Sequence, residues 1–295
     1  MAIILITGAK GQLGNELKVV SQKYYGYDFI FTDIDTLDIT DAIKTANYIR
    51  TARPDWIINC AAYTQVDKAE SDYQTALLVN GIAVKNISDS IKDSTCRFIH
   101  ISSDYVYDGN SNTPYSESSQ PNPLSAYGRS KLEGEKAALL HPGSMIIRTS
   151  WLYSSFGSNF VKTIIRLGNE KESVRVVSDQ TGSPTYARDL AEAIMLIISG
   201  VIRNQIAFNA GTYNYSDEGL CSWYDFAVAI VEEAGLNCLV MPISSNDYPA
   251  VTKRPVYSVM NKSKIRENYN LVIPHWRTSL KKCIKIMNNP LLLSI

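Results

Sequence analysis

The first half of the chain alternates short apolar runs, rich in Ile and Val, with longer stretches in which apolar residues recur at helical spacing. The apolar runs predict strands at Ile3–Thr7, Phe29–Asp33, Trp56–Cys60, Phe98–Ser102 and Met145–Thr149. The stretches between them predict helices at Gln12–Lys23, Asp41–Thr51, Val66–Lys92 and Ser125–Leu140. Strands that alternate with helices are typical of βαβ units, so we expect an α/β fold with a Rossmann-type doubly wound parallel sheet.

The alternation becomes less regular after Trp151. The pattern there predicts strands at Val174–Val177 and Ile206–Asn209. It predicts helices at Ala187–Ile198 and Trp223–Ala234. We therefore expect residues 1–150 to form the Rossmann domain, to which later segments return. Residues 151–295 are expected to form mainly a smaller C-terminal domain, with an approximate boundary.

The composition is that of an ordinary globular protein, with 295 residues, 45% of them hydrophobic and 20% charged. Lys+Arg and Asp+Glu both number 29, so no basic field indicates nucleic acid or a membrane surface as a partner. The first residues have a strand pattern with no charged n-region or cleavage site, so a secretory leader is not expected, and no apolar run approaches the roughly 20 residues that span a bilayer. We expect a cytoplasmic protein.

The cysteines and histidines do not have the spacing of metal ligands. The five cysteines form no CxxC pair, so reduced, buried thiols are expected: Cys60, Cys96, Cys221, Cys238 and Cys283. The histidines, His100, His141 and His275, are isolated from one another in the sequence. No metal site is predicted.

A glycine-rich segment follows the first predicted strand and reads Thr7-Gly8-Ala9-Lys10-Gly11-Gln12-Leu13-Gly14. Its glycines are spaced one residue wider than in the common Gly-x-Gly-x-x-Gly fingerprint, but they serve the same purpose. Glycine allows positive φ and close backbone approach, and the next helix directs its free amides at a pyrophosphate. The segment predicts dinucleotide binding, with a tight turn that binds no ligand as the alternative.

An acidic residue, Asp33, ends the second predicted strand about 20 residues beyond the glycines, where an acid binds adenosine ribose hydroxyls and favours NAD over NADP. Asp38 is expected either to contact the adenine or to cap the helix that starts near Asp41, and capping is the commoner role. No Arg ends this strand, so selection for the 2′-phosphate of NADP is not evident.

The third chemical signal is a hydroxyl residue after the fourth predicted strand, Ser103, followed by Tyr127 and Lys131. Residues four apart share one helix face. An ammonium beside a phenol favours the phenolate and is expected to lower the pKa of Tyr127, so that it exchanges a proton with a carbonyl oxygen near neutral pH. The Tyr-x-x-x-Lys spacing alone is common by chance.

These motifs together resemble the extended short-chain dehydrogenase/reductase superfamily: the glycine loop, Asn59-Cys60-Ala61-Ala62-Tyr63, and Tyr127-x-x-x-Lys131. Further motifs are similar to those of dTDP-4-dehydrorhamnose reductases: Ala62–Glu70, Ser102–Tyr107, Arg148–Trp151, Asp179–Thr185 and Arg254-Pro255. The similarity runs from residue 1 to about residue 280, with the motifs in the expected order.

The resemblance implies a role for each matching residue. Tyr127 is implied as the proton donor to the sugar C4 oxygen, Lys131 as the residue that holds the nicotinamide ribose, and Ser103, where relatives carry Ser or more often Thr, as a hydrogen-bond donor to that oxygen. The implied binding residues for NADPH or NADH are Gly8, Lys10, Gly11, Gln12, Leu13, Gly14, Asp33, Asp38, Ile39, Ala61, Ala62, Tyr63, Tyr127 and Lys131. Those for a nucleotide-sugar substrate are Thr64, Val66, Asp104, Tyr105, Trp151 and Arg254.

The implied reaction is reduction of the 4-keto group of dTDP-4-dehydro-6-deoxy-L-mannose to dTDP-L-rhamnose, with the smaller domain binding the substrate. The alternatives are another nucleotide-sugar reductase, a 4-epimerase, or a non-catalytic regulatory subunit like that of methionine adenosyltransferase. Dehydratases of the superfamily carry Thr-Asp-Glu where this chain has Ser103-Asp104-Tyr105, which argues against dehydration.

Some relatives form dimers through a magnesium site built from acidic residues. Glu16 matches one of these acids, but residues 288–295 contain none, so no metal-linked dimer is predicted. A monomer or a homodimer is expected.

Overall fold

The computed structural model describes residues 1–249 and 251–291 and is built around a six-stranded parallel sheet. Its strands are β1 (Ala2–Thr7), β2 (Tyr27–Thr32), β3 (Trp56–Asn59), β4 (Arg97–Ser103), β5 (Ser144–Thr149), β6 (Leu152–Tyr153), β7 (Ser173–Val177), β8 (Thr181–Gly182), β9 (Thr185–Tyr186), β10 (Gly211–Asn214), β11 (Cys221–Ser222) and β12 (Leu239–Ile243). Its α-helices are α1 (Gln12–Ser21), α2 (Ala42–Ala52), α3 (Tyr73–Leu77), α4 (Ala83–Ser90), α5 (Ala126–Ala138), α6 (Phe160–Glu170), α7 (Ala187–Ile202), α8 (Trp223–Glu233), α9 (Ser263–Tyr269) and α10 (Trp276–Asn288).

The order of strands in the main sheet is β2–β1–β3–β4–β5–β10, so the chain changes its direction of growth between β1 and β3. Ligands of open α/β sheets bind beyond the carboxyl ends of the strands at such a switch point. Thr7 pairs with Asn59, and Ser103 pairs with Thr149, so the carboxyl ends of these four strands lie along one edge.

The sheet is covered on both faces, which explains the near-continuous apolar character of its strands. Ile4 and Ile6 of β1 belong to an apolar cluster with residues of α1 and α7, whereas Leu5 points to the opposite face and packs with residues of α4 and α5. Burial of each such side chain contributes about 1.5–3 kcal/mol. The predicted doubly wound α/β fold is confirmed.

A second apolar cluster lies among later elements and is centred on α6, α8 and α10 with β7 and β12, which pair in parallel. Phe226 and Trp276 meet edge to face inside it. Three elements beyond residue 150 pack with the main sheet instead. Strand β10 joins the sheet, α7 packs against α1, and Ile265 and Tyr269 of α9 belong to the same apolar cluster. The division into residues 1–150 and 151–295 stays a prediction.

Two predicted elements differ from the structure. The helix expected over Val66–Lys92 is divided into a 3₁₀ turn at Lys68–Glu70, α3, a π-helical turn at Leu78–Ile82 and α4. The strand expected at Ile206–Asn209 is wrong. After α7 the backbone turns, with Gln205 N donating to Gly200 O at 2.8 Å, and the apolar side chains of Ile206 and Phe208 pack against the core without strand pairing.

The five cysteines are free thiols, and four of them are buried. In the part of the chain that the structure describes, no helix has both the length and the apolar character to cross a membrane. Those residues also contain no group of three or more His, Cys, Asp or Glu side chains that could hold a metal ion. Glu16 is fully buried and forms an ion pair with Arg188 at 2.5 Å, so its carboxylate is not available to a metal ion at the protein surface. Of residues 288–295, the last four lie outside the described residues.

Candidate active site

A cleft of about 910 Å³ runs along the carboxyl ends of β1 to β5, at the switch point of the sheet. This volume is in the range of pockets that hold cofactors and small molecules. The predicted site residues that line it are Gly8, Lys10, Gly11, Gln12, Leu13, Asp33, Asp38, Ile39, Ala61, Ala62, Tyr63, Thr64, Val66, Ser103, Asp104, Tyr105, Tyr127, Lys131 and Trp151. Gly14 and Arg254 lie outside the lining formed by the described residues.

The glycine loop needs its glycines for two close backbone approaches. Gly8 has a φ of 68°, and a Cβ there would lie 2.5 Å from Ala61 N. A Cβ at Gly14 would lie 2.4 Å from Gly8 O, so Gly14 lets α1 press against the end of β1. Gly11 caps α1 without a side chain, which leaves the first amides of the helix open toward the cleft. This cradle fits a dinucleotide pyrophosphate.

The acid after β2 is held by the glycine loop. Asp33 accepts hydrogen bonds from Lys10 N at 2.8 Å and from Ile34 N at 2.9 Å, and the Lys10 side chain pairs with Asp35 at 2.8 Å. This arrangement fits an acid that faces the adenosine ribose.

The capping role expected for Asp38 is wrong. Its carboxylate accepts from Thr40 N at 2.9 Å in a local turn, and Asp41 caps α2 by accepting from Lys44 N. Asp41 is one residue before the helix, the position from which a side chain reaches the first-turn amides. Asp38 lines the cleft together with Ile39.

Asn80, which the sequence analysis missed, ties the loop after β3 to α5. Its side chain accepts from Tyr63 N at 2.9 Å and donates to Tyr63 O at 3.0 Å and to Ser130 Oγ at 2.9 Å. Ser130 Oγ in turn donates to Tyr127 O at 2.7 Å. Asn80 lies in the π-helical turn, and the one available signal was a polar residue within the apolar run from Leu77 to Ile82.

Tyr127 and Lys131 lie one turn apart on α5 and both line the cleft. The helix begins after Ser125, whose hydroxyl accepts from Gly128 N at 3.0 Å. Lys131 Nζ donates to Ile101 O at 2.6 Å, and burial lowers the pKa of Lys131 to about 8, against the raising effect of Glu135. A lysine with this pKa changes charge close to neutral pH.

The expected lowering of the Tyr127 pKa is not found. Burial raises the pKa of Tyr127 to about 12, and the hydrogen bond with Ser103 only partly opposes this effect. The reason is geometric, because the Lys131 amine binds a backbone carbonyl of β4 and makes no hydrogen bond to the phenol. In this arrangement Tyr127 is a neutral phenol that can donate its proton.

Ser103 ends β4 beside Tyr127, in contact with two neighbours along the chain. Its hydroxyl accepts from Tyr105 N at 3.2 Å and donates to Asp104 Oδ1 at 2.9 Å. Asp104 is 2% exposed, and burial raises the pKa of this carboxyl to about 6. The ring of Tyr105 meets the ring of Tyr127 edge to face at 5.3 Å. The site therefore brings a hydroxyl, a carboxyl and a phenol together at one end of the cleft.

Trp151 forms an aromatic wall of the cleft. Its backbone has a positive φ of 48°, and its ring stacks on Trp223 with centroids 3.6 Å apart. A Cβ at Gly182 would lie 2.5 Å from Trp151 Cε2. Sequence reasoning found Trp151 but missed Trp223 and Gly182, which hold it.

Arg254 pairs with Asp67, with Nη2 and Oδ2 3.4 Å apart. Its Nε is buried and has no hydrogen-bond partner among the described residues. A buried guanidinium nitrogen without a partner is unfavourable unless an acceptor arrives. The charge of Arg254 also opposes the burial that raises the pKa of Tyr105, so the guanidinium lies near Tyr105.

A second contact that the sequence analysis missed closes the cleft at the glycine loop. Gln12 Oε1 accepts from Asn159 Nδ2 at 2.9 Å, and the preceding Gly157 and Ser158 line the cleft. Residues that follow β6 thus contact the loop that follows β1. The cleft is built from both halves of the chain.

A family model described as RmlD substrate binding domain matches residues 1–289. The dTDP-4-dehydrorhamnose reductase of Aggregatibacter actinomycetemcomitans is 38% identical over 95% of this chain and 98% of its own length. The dTDP-4-keto-6-deoxy-D-glucose reductase of Streptomyces niveus is 36% identical over 96% and 97%. A crystal structure of dTDP-4-dehydrorhamnose reductase from Bacillus anthracis in complex with NADP is 38% identical, covers 97% of this chain and 99% of that one, and superposes with a TM-score of 0.90.

Proposed function

The chain belongs to the family described as RmlD substrate binding domain, and we propose that it is an NAD(P)H-dependent reductase of a dTDP-linked 4-keto-6-deoxy sugar. The proposed substrate is dTDP-4-dehydro-6-deoxy-L-mannose and the product is dTDP-L-rhamnose. The observation that carries the proposal is that Ser103, Tyr127 and Lys131 face the same cleft as the glycine loop. A hydride donor and a proton donor can therefore reach one carbonyl carbon and its oxygen.

The proposed chemistry is one hydride transfer and one proton transfer. The reduced nicotinamide supplies the hydride to C4 of the sugar, and the C4–O double bond becomes a single bond. Tyr127 gives its proton to the oxygen, and solvent replaces that proton. Lys131 holds the nicotinamide ribose, and Ser103 donates a hydrogen bond to the oxygen as negative charge develops on it.

The proposed cofactor residues are those of the glycine loop, Asp33, and the segment from Ala61 to Tyr63. Support for them is that Gly8 and Gly14 have no room for a Cβ and that the first amides of α1 are left open. Asp33 would bind the ribose hydroxyls of NADH and would face the 2′-phosphate of NADPH. The relative from Bacillus anthracis binds NADP, so both cofactors belong in the assay.

The proposed substrate residues line the same cleft as the proposed cofactor residues, and they are Thr64, Val66, Asp104, Tyr105 and Trp151. Arg254 is proposed to bind the substrate diphosphate, because its Nε has no partner among the described residues. We also propose that the later half of the chain supplies most substrate contacts, that the protein is a monomer or homodimer, and that it is cytoplasmic. Its five free thiols fit a reducing compartment.

A second candidate differs in stereochemistry only. The relative from Streptomyces niveus, named for a keto sugar of the D-gluco series, is nearly as similar as the dehydrorhamnose reductases.

The assay follows consumption of NADPH or NADH with dTDP-4-keto-6-deoxy-D-glucose, with and without the 3,5-epimerase. Turnover that needs the epimerase and yields dTDP-L-rhamnose supports the main proposal, and turnover without it supports the second candidate. Interconversion of 4-epimers without cofactor consumption would indicate an epimerase. Cofactor binding without turnover of any sugar would favour a regulatory subunit.

A further inference from the structure

The last residues of β4 are bound to α5 at two neighbouring positions. Lys131 Nζ donates to Ile101 O at 2.6 Å, and Ser102 Oγ donates to Glu135 Oε1 at 2.6 Å. Lys131 and Glu135 are four residues apart and lie on one face of the helix. The helix is therefore fastened to β4 directly before Ser103, the last residue of the strand.

Glu135 is itself held in place by the sheet. Its side chain is buried, and both carboxylate oxygens accept hydrogen bonds from Arg148 of β5, from Nε at 2.8 Å and from Nη2 at 2.6 Å. A bidentate pair of a guanidinium and a carboxylate has a defined geometry. A buried ion pair adds little net stability because both charges lose their water, so a role in fixing geometry accounts for it better. Ser102 is thus bound to an acceptor that β5 holds at a defined position.

The site needs a defined geometry here because its two hydrogen-bonding groups come from different elements. The Ser103 hydroxyl belongs to β4, whereas the Tyr127 phenol belongs to α5, about two turns before Glu135. Under the proposed function both groups contact one substrate oxygen. A slide or rotation of α5 on the strand changes the distance between them, and a displacement of about 1 Å can lower a rate about 10²-fold.

The start of α5 is fixed in a different way. A Cβ at Gly128 would lie 2.2 Å from Tyr105 O, so the first turn of the helix packs directly against the 3₁₀ turn that follows β4. This packing sets how closely the helix approaches. The hydrogen bond at Glu135 sets where along the strand the helix lies, because a hydrogen bond is directional and this one binds the residue next to Ser103.

We propose that Ser102 and Glu135 are positioning residues of the reductase. Their hydrogen bond sets the register of α5 on β4 and so brings Tyr127 and Ser103 to the same substrate oxygen. Both residues act through Tyr127 and Ser103 and exchange no proton with the substrate. The inference rests on the proposed reductase function, and it assigns a role to two buried polar residues that the proposed chemistry does not use.

The test is Ser102→Ala, which removes the hydroxyl and leaves Glu135 paired with Arg148, so that no buried charge loses its partner. The contact of Lys131 with Ile101 remains, and the helix can pivot about it. We expect kcat to fall about tenfold. KM for the nucleotide sugar and the dissociation constant of the cofactor should stay within about a factor of two, since the effect is on the reacting geometry alone.

Ser144→Ala is the matched control. Ser144 Oγ is also buried and donates to the same helix, to Ala138 O at 2.6 Å. Ser144 begins β5, at the edge of the sheet opposite the cleft, and Ala138 is the last residue of α5. Ser144→Ala should therefore keep kcat. An equal fall of kcat in both variants would show that any loosening of α5 slows the reaction, and this result would overturn the inference.

A double variant tests whether the effect passes through the phenol. In a Tyr127→Phe background, Ser102→Ala should lower kcat by less than about twofold, because the group that the hydrogen bond places is gone. A further tenfold fall would overturn the inference.

Crystal structures with NADP bound separate this inference from the reductase assignment, because they need no turnover of any sugar. The distance from Ser103 Oγ to Tyr127 Oη should differ by about 0.5 Å or more between Ser102→Ala and the unmodified protein. An unchanged distance would overturn the inference. Turnover of no sugar by the unmodified protein would instead refute the proposed function, and the distance would still report the register.

Discussion

Trp151 and Trp223 lie face to face in the cleft wall, with ring centroids 3.6 Å apart and planes 9° from parallel. A second constraint comes from Gly182, where a Cβ would lie 2.5 Å from Trp151 Cε2. Trp151 is thus held between a second indole and a glycine, and its positive φ of 48° depends on this support. The wall of the substrate cleft is set by three residues from distant parts of the chain.

The first prediction concerns Gly182→Ala. The added methyl must displace the indole, an overpacking effect of about 1–3 kcal/mol, so KM for the nucleotide sugar should rise about tenfold while cofactor affinity stays the same. Steady-state kinetics measures the first quantity and a cofactor fluorescence titration the second.

Two comparisons check that this effect passes through Trp151. The substitution should have no further effect in a Trp151→Ala background, where the clash is gone. Gly26→Ala is the control, because nothing lies within 4 Å of its Cβ position. An equal KM increase from Gly182→Ala in both backgrounds would contradict the prediction.

The second prediction concerns the proton donor. Tyr127→Phe should lower kcat by about 10²–10⁴, the usual contribution of a general acid, and should leave cofactor binding within a factor of a few. Turnover and cofactor titration together measure this. Tyr25→Phe, at a tyrosine that is 95% exposed, is the control for loss of a phenol. Retention of full activity by Tyr127→Phe would remove this tyrosine from the mechanism.

The third prediction concerns Gly8→Ala, which combines two unfavourable effects. The positive φ costs about 1–2 kcal/mol for any residue with a Cβ, and the approach of 2.5 Å to Ala61 N adds a clash with backbone. We expect the variant to lose cofactor binding and to unfold at a lower urea concentration.

Gly235→Ala separates the two effects. Gly235 has a similar φ of 65°, and nothing lies within 4 Å of its Cβ position, so it reports the cost of φ alone. The free energy of unfolding of Gly8→Ala should be lower than that of Gly235→Ala. Equal values would mean that the backbone approach at Gly8 carries no cost.

The fourth prediction concerns stability against pH. Asp217 is fully buried beneath the second half of the chain, one of its oxygens accepts from Tyr186 N at 2.9 Å, and the other has no partner among the described residues. Burial and, to a smaller extent, the nearby charge of Asp189 raise the pKa of Asp217 well above its ordinary value. The folded state therefore holds a proton on Asp217 that the unfolded state releases.

The sign follows from this difference. The stabilisation is complete below the unfolded pKa of 3.8 and is lost as pH rises toward the folded pKa. Between these pH values the unfolding free energy of the unmodified protein should fall as the pH rises. In Asp217→Asn this fall should be smaller by up to about 1.4 kcal/mol per pH unit. Urea titrations at several pH values measure the slope, with Asp28→Asn on the surface as control. An unchanged slope in Asp217→Asn would contradict the raised pKa.

The sheet and the glycine loop could be predicted because their signals are local. Each of the first five strands is a run such as Ala2–Thr7, and the glycine spacing follows it directly. The strand expected at Ile206–Asn209 failed for the opposite reason. Its apolar residues are buried by packing after a turn at the end of α7, which short-range periodicity does not distinguish from strand pairing.

The acid–base properties of the candidate site could not be predicted as well from the sequence. The spacing of Tyr127 and Lys131 predicts that they share a helix face, and both do line the cleft. It does not show that Lys131 Nζ binds Ile101 O, which leaves burial to raise the pKa of the phenol. The assigned catalytic and binding roles stay predictions until the variants are measured.

By itself, the sequence determined the fold class, the family and most of the residues that line the cleft, because each depends on patterns within a few turns of chain. Only the tertiary structure decided which polar and aromatic groups meet. Asn80 reaches Ser130 across 50 positions, and Trp151 is held by Trp223 and Gly182. Burial, which sets the protonation of Asp104 and Tyr127, is likewise a property of the folded chain, since it depends on all segments that exclude water from them.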